Sequence, residues 1–434
     1  VNPPLTVIEP GTTMTDPNRW QPLQIEQMIS QNGIPVENGV QEFIDSHWGA
    51  VAAFALPAGG PQQVAGLPVD PGPPPHLGDP ATDAAFKEAA VEVIRFSSLL
   101  DPATAPTIDI SPATIGSTAL GTYDTTGYRV NPVTGEPYEP MLVNEADFSR
   151  AVAEFWADGP DSETPPGHWN TLANEVSDEL DPQLRIGAAG EEVDRLEWDV
   201  KLYFALNGAT HDAAIAAWGS KGHYDYVRPI SMIRHMGGLG QSSDPSGPSY
   251  HPDGLPLVDG LVEVVTTDTT GPGRRHEALA GHESEIAVYA WSGTPPDPEN
   301  DVSGVDWIRA VEWVPYQQPS FVTPAFAGYV SGHSAFSRAA AEVMEGFTGS
   351  PYFPGGLGQW TIEADSLEFE AGPSTEVTLQ WAAYADAADQ AGMSRLYGGI
   401  HVRADDLAGR IMGADIGDAA LAKARTYFDG SAGA

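Results

Sequence analysis

The sequence contains no cysteine, few lysines and no long apolar run, and each absence excludes a class of protein. Without cysteine the chain forms no disulfides and has no thiol to act as nucleophile or metal ligand. No apolar stretch reaches the roughly 18 residues that a membrane-spanning helix needs. The most apolar window, residues 200–218, is interrupted by Asn207, His211 and Asp212. We therefore expect a soluble protein without a membrane partner.

Positive charge is also scarce. The chain has 20 Lys and Arg residues against 60 Asp and Glu residues, which gives a formal net charge of -40. A surface of that sign repels nucleic acid and anionic lipid, so we expect neither as a partner. In so acidic a chain, cations that recur in short motifs are candidates for a function.

The chain is long enough, at 434 residues, for two ordinary domains or one large domain with a buried core. Hydrophobic residues make up 41%, a value typical of globular proteins. The first residue is Val1 rather than Met, which fits either a processed or a recombinant form, and the lack of cysteine is compatible with export. We expect an exported protein, periplasmic or secreted.

The sequence divides into a loop-rich N-terminal region, residues 1–143, that we expect to pack on a helical catalytic region, residues 144–434. The first region has a Pro- and Gly-rich segment (56–82), a candidate helix (83–100) and a hairpin or loop excursion (105–142). Apolar spacing and abundant alanine predict helices in the second region. These helices are expected at 144–157, 167–179, 188–220, 273–291, 333–347, 375–393 and 402–426, with a loop at 236–258. The predicted fold class is mainly α, a helical bundle with long irregular loops and little strand.

Three short segments combine cationic, hydroxyl and imidazole side chains. The first runs from Trp218 to Pro229 and contains Lys221 and Arg228. Lys221 is predicted near the end of a helix, and Pro229 biases Arg228 away from the helical conformation. Two cations on either side of a helix end can converge on one anion. Taken alone, the pair is also compatible with two solvated surface charges.

The second segment is Ser331-Gly332-His333, which precedes an alanine-rich helix. Ser331 is a favourable N-cap, and Gly332 lets the backbone come close to a ligand. Helix N-termini bind anions through free N–H groups and the positive end of the helix dipole. His333 would then stand beside the bound anion. Taken alone, the segment is also compatible with an ordinary serine cap and an exposed histidine.

The third segment runs from Arg395 to Asp405 and includes His401, which follows a glycine-containing loop. Asp405 is one helical turn after His401, so its carboxylate can accept a hydrogen bond from one imidazole nitrogen. The other nitrogen is then free and basic, as a ligand or nucleophile requires. Taken alone, the segment is also compatible with a structural histidine satisfied by Asp405.

In this order, the three segments resemble the signature of the superfamily that unites vanadium haloperoxidases, type 2 phosphatidic acid phosphatases and class A acid phosphatases. Trp218, three residues before the lysine, and Pro324 and Phe326, before the Ser-Gly-His motif, are similar to the vanadium chloroperoxidases. Other segments resemble bacterial haloperoxidase-like proteins, so that the resemblance extends over residues 16–426. They are 16–23, 46–49, 156–160 and 165–169.

The resemblance implies a haloperoxidase or acid phosphatase-like helical bundle with a vanadate cofactor, whose place phosphate can take. His401 would bind vanadium axially, His333 would be the general acid–base, and Lys221 would polarise hydrogen peroxide. The oxyanion would be held by Lys221, Arg228, Ser331, Gly332, Arg395 and His401, with Trp218, Pro324, Phe326 and Asp405 around the pocket. The implied partners are hydrogen peroxide, a halide and a small organic acceptor, and the chain could form a homo-oligomer.

Two other functions fit the same residues. A phosphomonoesterase of the acid phosphatase type would use His401 as nucleophile and His333 to protonate the leaving group. A non-catalytic exported protein would bind oxyanions without turnover. Phe326 stands where algal bromoperoxidases have histidine, which favours a chloroperoxidase-like pocket, although one residue does not determine the halide.

Three further groups are weaker candidates. His276 and His282 resemble a zinc helix, but their spacing of six residues puts them on different helix faces, so a structural role is favoured. His211 and Asp212 could support the pocket, although a buried hydrogen-bonded pair is favoured. The acidic segment 297–301 could bind calcium through its oxygen atoms, but it lacks the EF-hand spacing, and a solvated loop is favoured.

Overall fold

In a computed structural model, the chain is mainly α-helical, as the sequence predicted. The structure describes residues 1–31, 33–37, 39–56, 67, 69–159 and 162–433. Its helices are α1 (Asp83–Ser97), α2 (Glu145–Phe155), α3 (Pro165–Leu180), α4 (Arg195–Tyr224), α5 (Pro229–Leu239), α6 (Gly332–Thr348), α7 (Tyr384–Tyr397) and α8 (Arg403–Phe428). None of the described helices is long and apolar enough to cross a lipid bilayer.

Short strands accompany the helices. They are β1 (Leu5–Thr6), β2 (Leu23–Gln24), β3 (Thr107–Asp109), β4 (Leu142–Asn144), β5 (Val262–Val264), β6 (Ile286–Trp291), β7 (Val305–Arg309), β8 (Gly358–Ile362) and β9 (Val377–Trp381). β1 pairs with β2 in parallel, whereas β3 with β4 and β8 with β9 are antiparallel. β5, β6 and β7 form an antiparallel sheet in which Val288 lies between Val262 and Ile308. Among the described residues, the largest sheet therefore has three strands.

The helical bundle is organised around α6, which packs against α4, α7 and α8. α8 meets α6 through Gly409, Gly413 and Gly417, which recur every four residues on one helix face. A Cβ atom at these glycines would lie 2.8, 2.5 and 2.6 Å from carbonyl oxygens of α6 or of the residue that caps it. Because no side chain fits between the two helices, the start of α6 lies directly beside α8.

The helix ends near the candidate site follow from the local sequence. α6 begins after Ser331, whose hydroxyl oxygen accepts a hydrogen bond from the backbone N–H of Ser334 (3.3 Å). Lys221 lies in the last turn of α4. Pro229 is the first residue of α5 and leaves Arg228 extended, with φ -95° and ψ 154°. The predicted serine cap and the predicted non-helical arginine are both confirmed.

The prediction of a helix at 273–291 is wrong. This segment forms a 3₁₀ turn at Glu277–Leu279 and then β6, and Gly281 and Ser284 between them have positive φ angles. The β6 sequence is rich in β-branched and aromatic residues, and it pairs with strands on both of its edges. Pairing with segments distant in the sequence therefore overrides its local helical spacing.

Other predictions differ from the structure at element boundaries. The segment expected as a helix at 375–393 begins with β9, and α7 starts only at Tyr384. α4 begins at Arg195 rather than at residue 188, because the Asp194 side chain caps it by accepting a hydrogen bond from Glu197 N–H (2.8 Å). α5 was not predicted, and its end overlaps the expected loop at 236–258.

The N-terminal region contains the expected irregular structure. β3 and β4 pair across the excursion expected at 105–142, and α1 forms within the candidate helix at 83–100. Residues 57–66 and 68 of the Pro- and Gly-rich segment lie outside the described residues. The division of the chain after residue 143 into two regions stays a prediction.

Candidate oxyanion-binding active site

Lys221 reaches the interior from the last turn of α4 and is fully buried. Its Nζ donates hydrogen bonds to the carbonyl oxygens of Ala327 (2.9 Å) and Gly328 (3.0 Å). The same atom lies 4.9 Å from the ring centroid of Phe326. Burial, together with the charge of Arg228, holds the pKa of Lys221 well below its usual value.

Arg228 stands at the beginning of α5 and is also buried. Its Nε donates to the carbonyl oxygen of Phe326 (3.0 Å), and its Nη1 donates to that of Ile400 (2.8 Å). Nη1 also lies 3.1 Å from Nε2 of His401. Nη2 is buried and has no hydrogen-bond partner. Burial lowers the pKa of Arg228 to about 9. One guanidinium edge is thus available for a ligand.

Arg395 comes from the last turn of α7 and is the third buried cation. Its Nη1 donates to the carbonyl oxygen of Trp156 (3.1 Å), whereas its Nε is buried without a partner. Burial lowers the pKa of Arg395 to about 10, and the carboxylate of Asp158 opposes this shift. Among the described residues, no carboxylate lies within 4.0 Å of a side-chain nitrogen of Lys221, Arg228 or Arg395.

His401 lies two residues before α8, and its ring orientation is set by a carboxylate in the first turn of that helix. Its Nδ1 is 2.8 Å from Oδ2 of Asp405. Burial raises the pKa of Asp405 to about 7 and lowers that of His401 well below its usual value. Because the Arg228 guanidinium can only donate, the Nε2 atom that lies 3.1 Å from its Nη1 carries the lone pair, and Nδ1 carries the proton that faces Asp405. Nε2 lies on the side of the ring that faces Arg228.

His333 lies in the first turn of α6. It is held through Nε2, whereas His401 is held through Nδ1. Its Nε2 lies 2.6 Å from the carbonyl oxygen of Trp156, which can only accept, so Nε2 carries the proton and Nδ1 the lone pair. Burial and the charge of Arg395 hold the pKa of His333 well below its usual value. Ser331 and Gly332 precede it at the helix N-terminus, and Ser331 is fully buried.

An aromatic wall covers one side of these groups. Trp218 and Phe326 lie with ring centroids 4.9 Å apart, and the Arg228 guanidinium carbon is 5.3 Å from the Phe326 ring. Pro324 is buried, and its carbonyl oxygen accepts a hydrogen bond from Phe326 N–H (2.9 Å). Trp218 and Phe326 therefore lie next to the buried cations, and Pro324 supports Phe326. Asp405, the fourth pocket residue named from the sequence, contacts His401.

The sequence did not reveal the contribution of the segment that follows α2. The carbonyl oxygen of Trp156 accepts hydrogen bonds from both His333 and Arg395. Burial raises the pKa of Asp158 to about 6, while the charge of Arg395 opposes that shift. Gln31 bonds to Asp158 and connects the N-terminal region to this segment. Residues 156–160 entered the sequence comparison only as a resemblance, and Pro160 lies outside the described residues.

The weaker candidates lie apart from this cluster. His276 bonds to Thr269 and packs against Trp307, and His282 pairs with Glu285 (2.8 Å). Neither histidine belongs to an α-helix. Over the described ranges, no group of three or more His, Asp and Glu side chains is arranged to hold a metal ion.

His211 and Asp212 do not pair with each other. Asp212 accepts hydrogen bonds from the backbone N–H groups of residues 54, 55 and 56 (2.6–3.0 Å), and His211 Nε2 lies 3.2 Å from the carbonyl oxygen of Ala52. In segment 297–301 the Asn300 side chain bonds to Asp297 (3.0 Å). Calcium binding at this segment stays a prediction.

The assembled residues fit a tetrahedral oxyanion such as vanadate. The charges of three buried cations, Lys221, Arg228 and Arg395, act on the His401 ring, and none of the three has a carboxylate within 4.0 Å among the described residues. Arg228 Nη2 and Arg395 Nε are buried donors without an acceptor. A buried guanidinium that keeps an unused N–H is costly unless an acceptor binds there. An oxyanion would supply both the missing charge and the missing acceptors.

Comparison with solved structures identifies the fold. An apo-type bacterial vanadium-dependent chloroperoxidase matches with a TM-score of 0.60 and 18% identity, over 98% of this chain and 66% of the other. The holo-type bacterial vanadium-dependent chloroperoxidase matches with a TM-score of 0.55 and 19% identity, over 96% of this chain and 63% of the other. The chain thus spans slightly less than two thirds of the length of these structures. Comparison with curated protein sequences gives no significant match.

A family model extends the agreement from the fold to the sequence. The model for the VCPO second helical-bundle domain matches residues 201–256 and 269–430, just over half of the chain. The matched ranges contain the Lys-Arg, Ser-Gly-His and Arg-His segments that the fold brings together around the buried cations. The chain therefore belongs to the family of vanadium-dependent haloperoxidases.

Proposed function

We propose that this chain binds vanadate and catalyses the oxidation of chloride or bromide by hydrogen peroxide to hypohalous acid, which then halogenates organic acceptors. The observation that carries the proposal is the meeting of three buried, carboxylate-free cations with an imidazole whose Nε2 is unprotonated. Membership of the haloperoxidase family supports the same reaction class.

The residues that would hold vanadate are those that offer a nitrogen lone pair to the metal or an N–H group to the oxyanion oxygens. His401 would ligate the metal through Nε2, because its Nδ1–H is engaged with Asp405, and the metal would replace the Arg228 Nη1–H that Nε2 faces at 3.1 Å. Arg228 Nη2 and Arg395 Nε would donate to the oxyanion oxygens, since neither atom has another acceptor. The Lys221 ammonium has three N–H groups and uses two on carbonyl oxygens, so the third is free for the ligand. The N–H groups at the start of α6 would complete the set.

When bound, vanadate supplies a Lewis-acid centre that polarises hydrogen peroxide towards attack by halide. His333 receives the peroxide proton at Nδ1, because its Nε2–H is held by the Trp156 carbonyl and the lowered pKa keeps the ring neutral. The Lys221 N–H stabilises negative charge that develops on the oxygen it faces. Trp218 and Phe326 limit the access of water to this side. Peroxide, halide and one proton give hypohalous acid and water.

The test joins metal analysis to an activity assay on one sample. Protein loaded with orthovanadate should bind about one vanadium per chain and consume monochlorodimedone when given bromide and hydrogen peroxide. We expect His401→Ala to lose vanadium and activity together, and His333→Ala to keep vanadium but lose most activity. Bound vanadium without halide oxidation from acidic to neutral pH would contradict the proposal. Rapid vanadate-free hydrolysis of p-nitrophenyl phosphate would instead identify a phosphomonoesterase.

A further inference from the structure

A cleft of about 270 Å³ lies against α4 and shares a wall with the candidate site. Its aromatic lining consists of Trp48, His211, Trp218 and Phe336. The Trp218 ring centroid is also 4.9 Å from that of Phe326 and 6.0 Å from Nζ of Lys221. The same indole therefore borders both the cleft and the group of buried cations.

The segment around Trp48 packs on α4 and contributes Trp48 to the lining of this cleft. A Cβ atom at Gly49 would lie 2.7 Å from Cα of Gly219, so residues 48–50 rest directly on the backbone of α4. Trp218 Nε1 donates to the carbonyl oxygen of Ile44 (3.3 Å), which links α4 to the segment that precedes Trp48. This contact gives a structural reason for the Ser46–Gly49 motif that the oxyanion site itself does not use.

The cleft also adjoins the N-terminus of α6. Phe336 is one helical turn after Gly332, and a Cβ atom at Gly332 would lie 3.5 Å from Phe336 Cε2 and 3.9 Å from Trp218 Cζ3. The two rings therefore cover the glycine at the start of the helix. A molecule in the cleft would be separated from the oxyanion position by the thickness of these side chains.

The lining indicates the chemical class of the ligand. Asp45 provides the only carboxyl group in the lining of the described cleft, and its side chain is exposed. Anions are disfavoured by that carboxylate and by the net charge of -40, and no buried carboxylate is present to pair with a cation. Aromatic walls favour a flat aromatic ligand, and Asp45 can accept a hydrogen bond from its hydroxyl or N–H group.

We propose that this cleft binds the organic acceptor, a neutral electron-rich aromatic such as a phenol or an indole. Its halogenation rests on the proposed function, which supplies hypohalous acid. A ring carbon attacks the halogen, the carbon–halogen bond forms as the oxygen–halogen bond breaks, and hydroxide leaves. The ring then loses the proton of that carbon, and this proton and hydroxide give water. Binding beside the site raises the local concentration of acceptor where the oxidant is released.

The test measures binding separately from turnover. The probe is 2-naphthol, titrated into the full chain without vanadate, peroxide or halide, and followed by saturation-transfer NMR and calorimetry. We expect saturable binding that Trp48→Ala weakens about tenfold. Asn207→Trp, at an exposed position of the cleft lining, should block binding by filling the cleft. Trp307→Ala removes a partly buried tryptophan elsewhere and should leave binding unchanged.

The outcomes separate this proposal from the proposed function. Absence of saturable binding by the wild-type chain, or wild-type affinity in both Trp48→Ala and Asn207→Trp, would overturn the acceptor cleft. Binding that responds to the variants as expected, in a vanadate-loaded protein that does not oxidise bromide, would support the cleft and refute the haloperoxidase activity.

Discussion

At the scale of single residues, the two site histidines differ because their partners differ. His401 gives its Nδ1–H to a carboxylate and keeps Nε2 as a ligand atom, whereas His333 gives its Nε2–H to a carbonyl and keeps Nδ1 as a base. Burial holds the pKa of both rings low, so both are neutral when an anion arrives. Two histidines in one pocket are thus prepared for different chemistry, one as a ligand and the other as a base.

The carboxylate behind His401 should control the affinity for vanadate. Asp405→Asn removes the negative charge that orients the Nδ1–H and makes Nε2 more basic. We expect vanadate affinity to fall by about 10- to 100-fold, as measured by equilibrium dialysis. Asp415→Asn, an exposed position on α8, is the matched control and should keep wild-type affinity. Equal affinity in all three proteins would show that Asp405 is not needed for ligand binding.

Asp158 should make anion binding dependent on pH. Burial raises its pKa to about 6, so the side chain is neutral below that pH and repels an anion at Arg395 above it. Sulfate is tetrahedral and keeps a constant charge in this range, so its affinity should fall about tenfold as the pH rises from about 5 to about 7. Asp405 titrates in the same range in wild type and variant alike. Calorimetry on Asp158→Asn should show a flatter profile, and an unchanged profile would contradict this assignment.

The side chains that form the candidate site could be predicted from the sequence, whereas the backbone groups that form hydrogen bonds there could not. Lys221, Arg228 and Arg395 were named as site residues because cations are rare in this chain, and the fold brings them together. The Trp156 carbonyl escaped notice because every residue has such a group, and only the tertiary fold selects one. Asp158 left a weak signal, an acidic residue in a short turn after an apolar helix, which does not reveal its burial. The roles assigned to the site residues stay predictions.

At the scale of elements, the contact between α6 and α8 determines where the site residues lie. The glycines of α8 allow its backbone to approach that of α6, which places the His333 turn beside the His401 turn. Gly413→Ala would put a methyl group 2.5 Å from a carbonyl oxygen of α6. We expect the free energy of unfolding to fall by about 1–3 kcal/mol.

Urea denaturation measures this effect of the Gly413→Ala change. Gly222→Ala is the matched control, because it adds the same methyl group to a helix at a position with open space around it. The control should be neutral or stabilising by up to about 1 kcal/mol, since alanine favours helix more than glycine does. A loss of similar size in both variants would show that packing between α6 and α8 is not the cause.

Element prediction succeeded where local signals decide the structure. The periodic, alanine-rich α6 and α8 were expected from sequence spacing, and the serine cap located the start of α6. Pro229 predicted a non-helical Arg228, but α5 itself was not predicted. The prediction for the β6 segment was wrong because its strand partners lie about 20 residues away on each side along the chain. A pattern of neighbouring residues does not reveal pairing over that distance.

At the scale of the whole molecule, negative charge dominates while the interior contains an unpaired group of cations. The chain carries a net charge of -40, yet Lys221, Arg228 and Arg395 are buried together and repel one another. An oxyanion that binds there only in the folded state should stabilise the fold. At a concentration 100 times the Kd, the gain is about 2.7 kcal/mol.

Thermal unfolding with sulfate or vanadate should reveal this gain as a rise in Tm. Sodium chloride at matched ionic strength is the control, because general screening also stabilises so acidic a chain. Arg395→Met removes one of the three cations and should show a smaller rise than the wild-type chain. Equal shifts with sulfate and chloride in the wild type would mean that the oxyanion does not bind at the buried cations.

The Trp156 carbonyl oxygen is shared by two side chains of the candidate site. This one atom orients the imidazole of His333, which would transfer the proton, and the guanidinium of Arg395, which would neutralise the charge of the oxyanion. Rotation of this single peptide group would remove both hydrogen bonds at once, so we expect a backbone change next to Trp156 to affect His333 and Arg395 together. A redesign that exchanges only side chains would therefore keep this shared backbone acceptor in place.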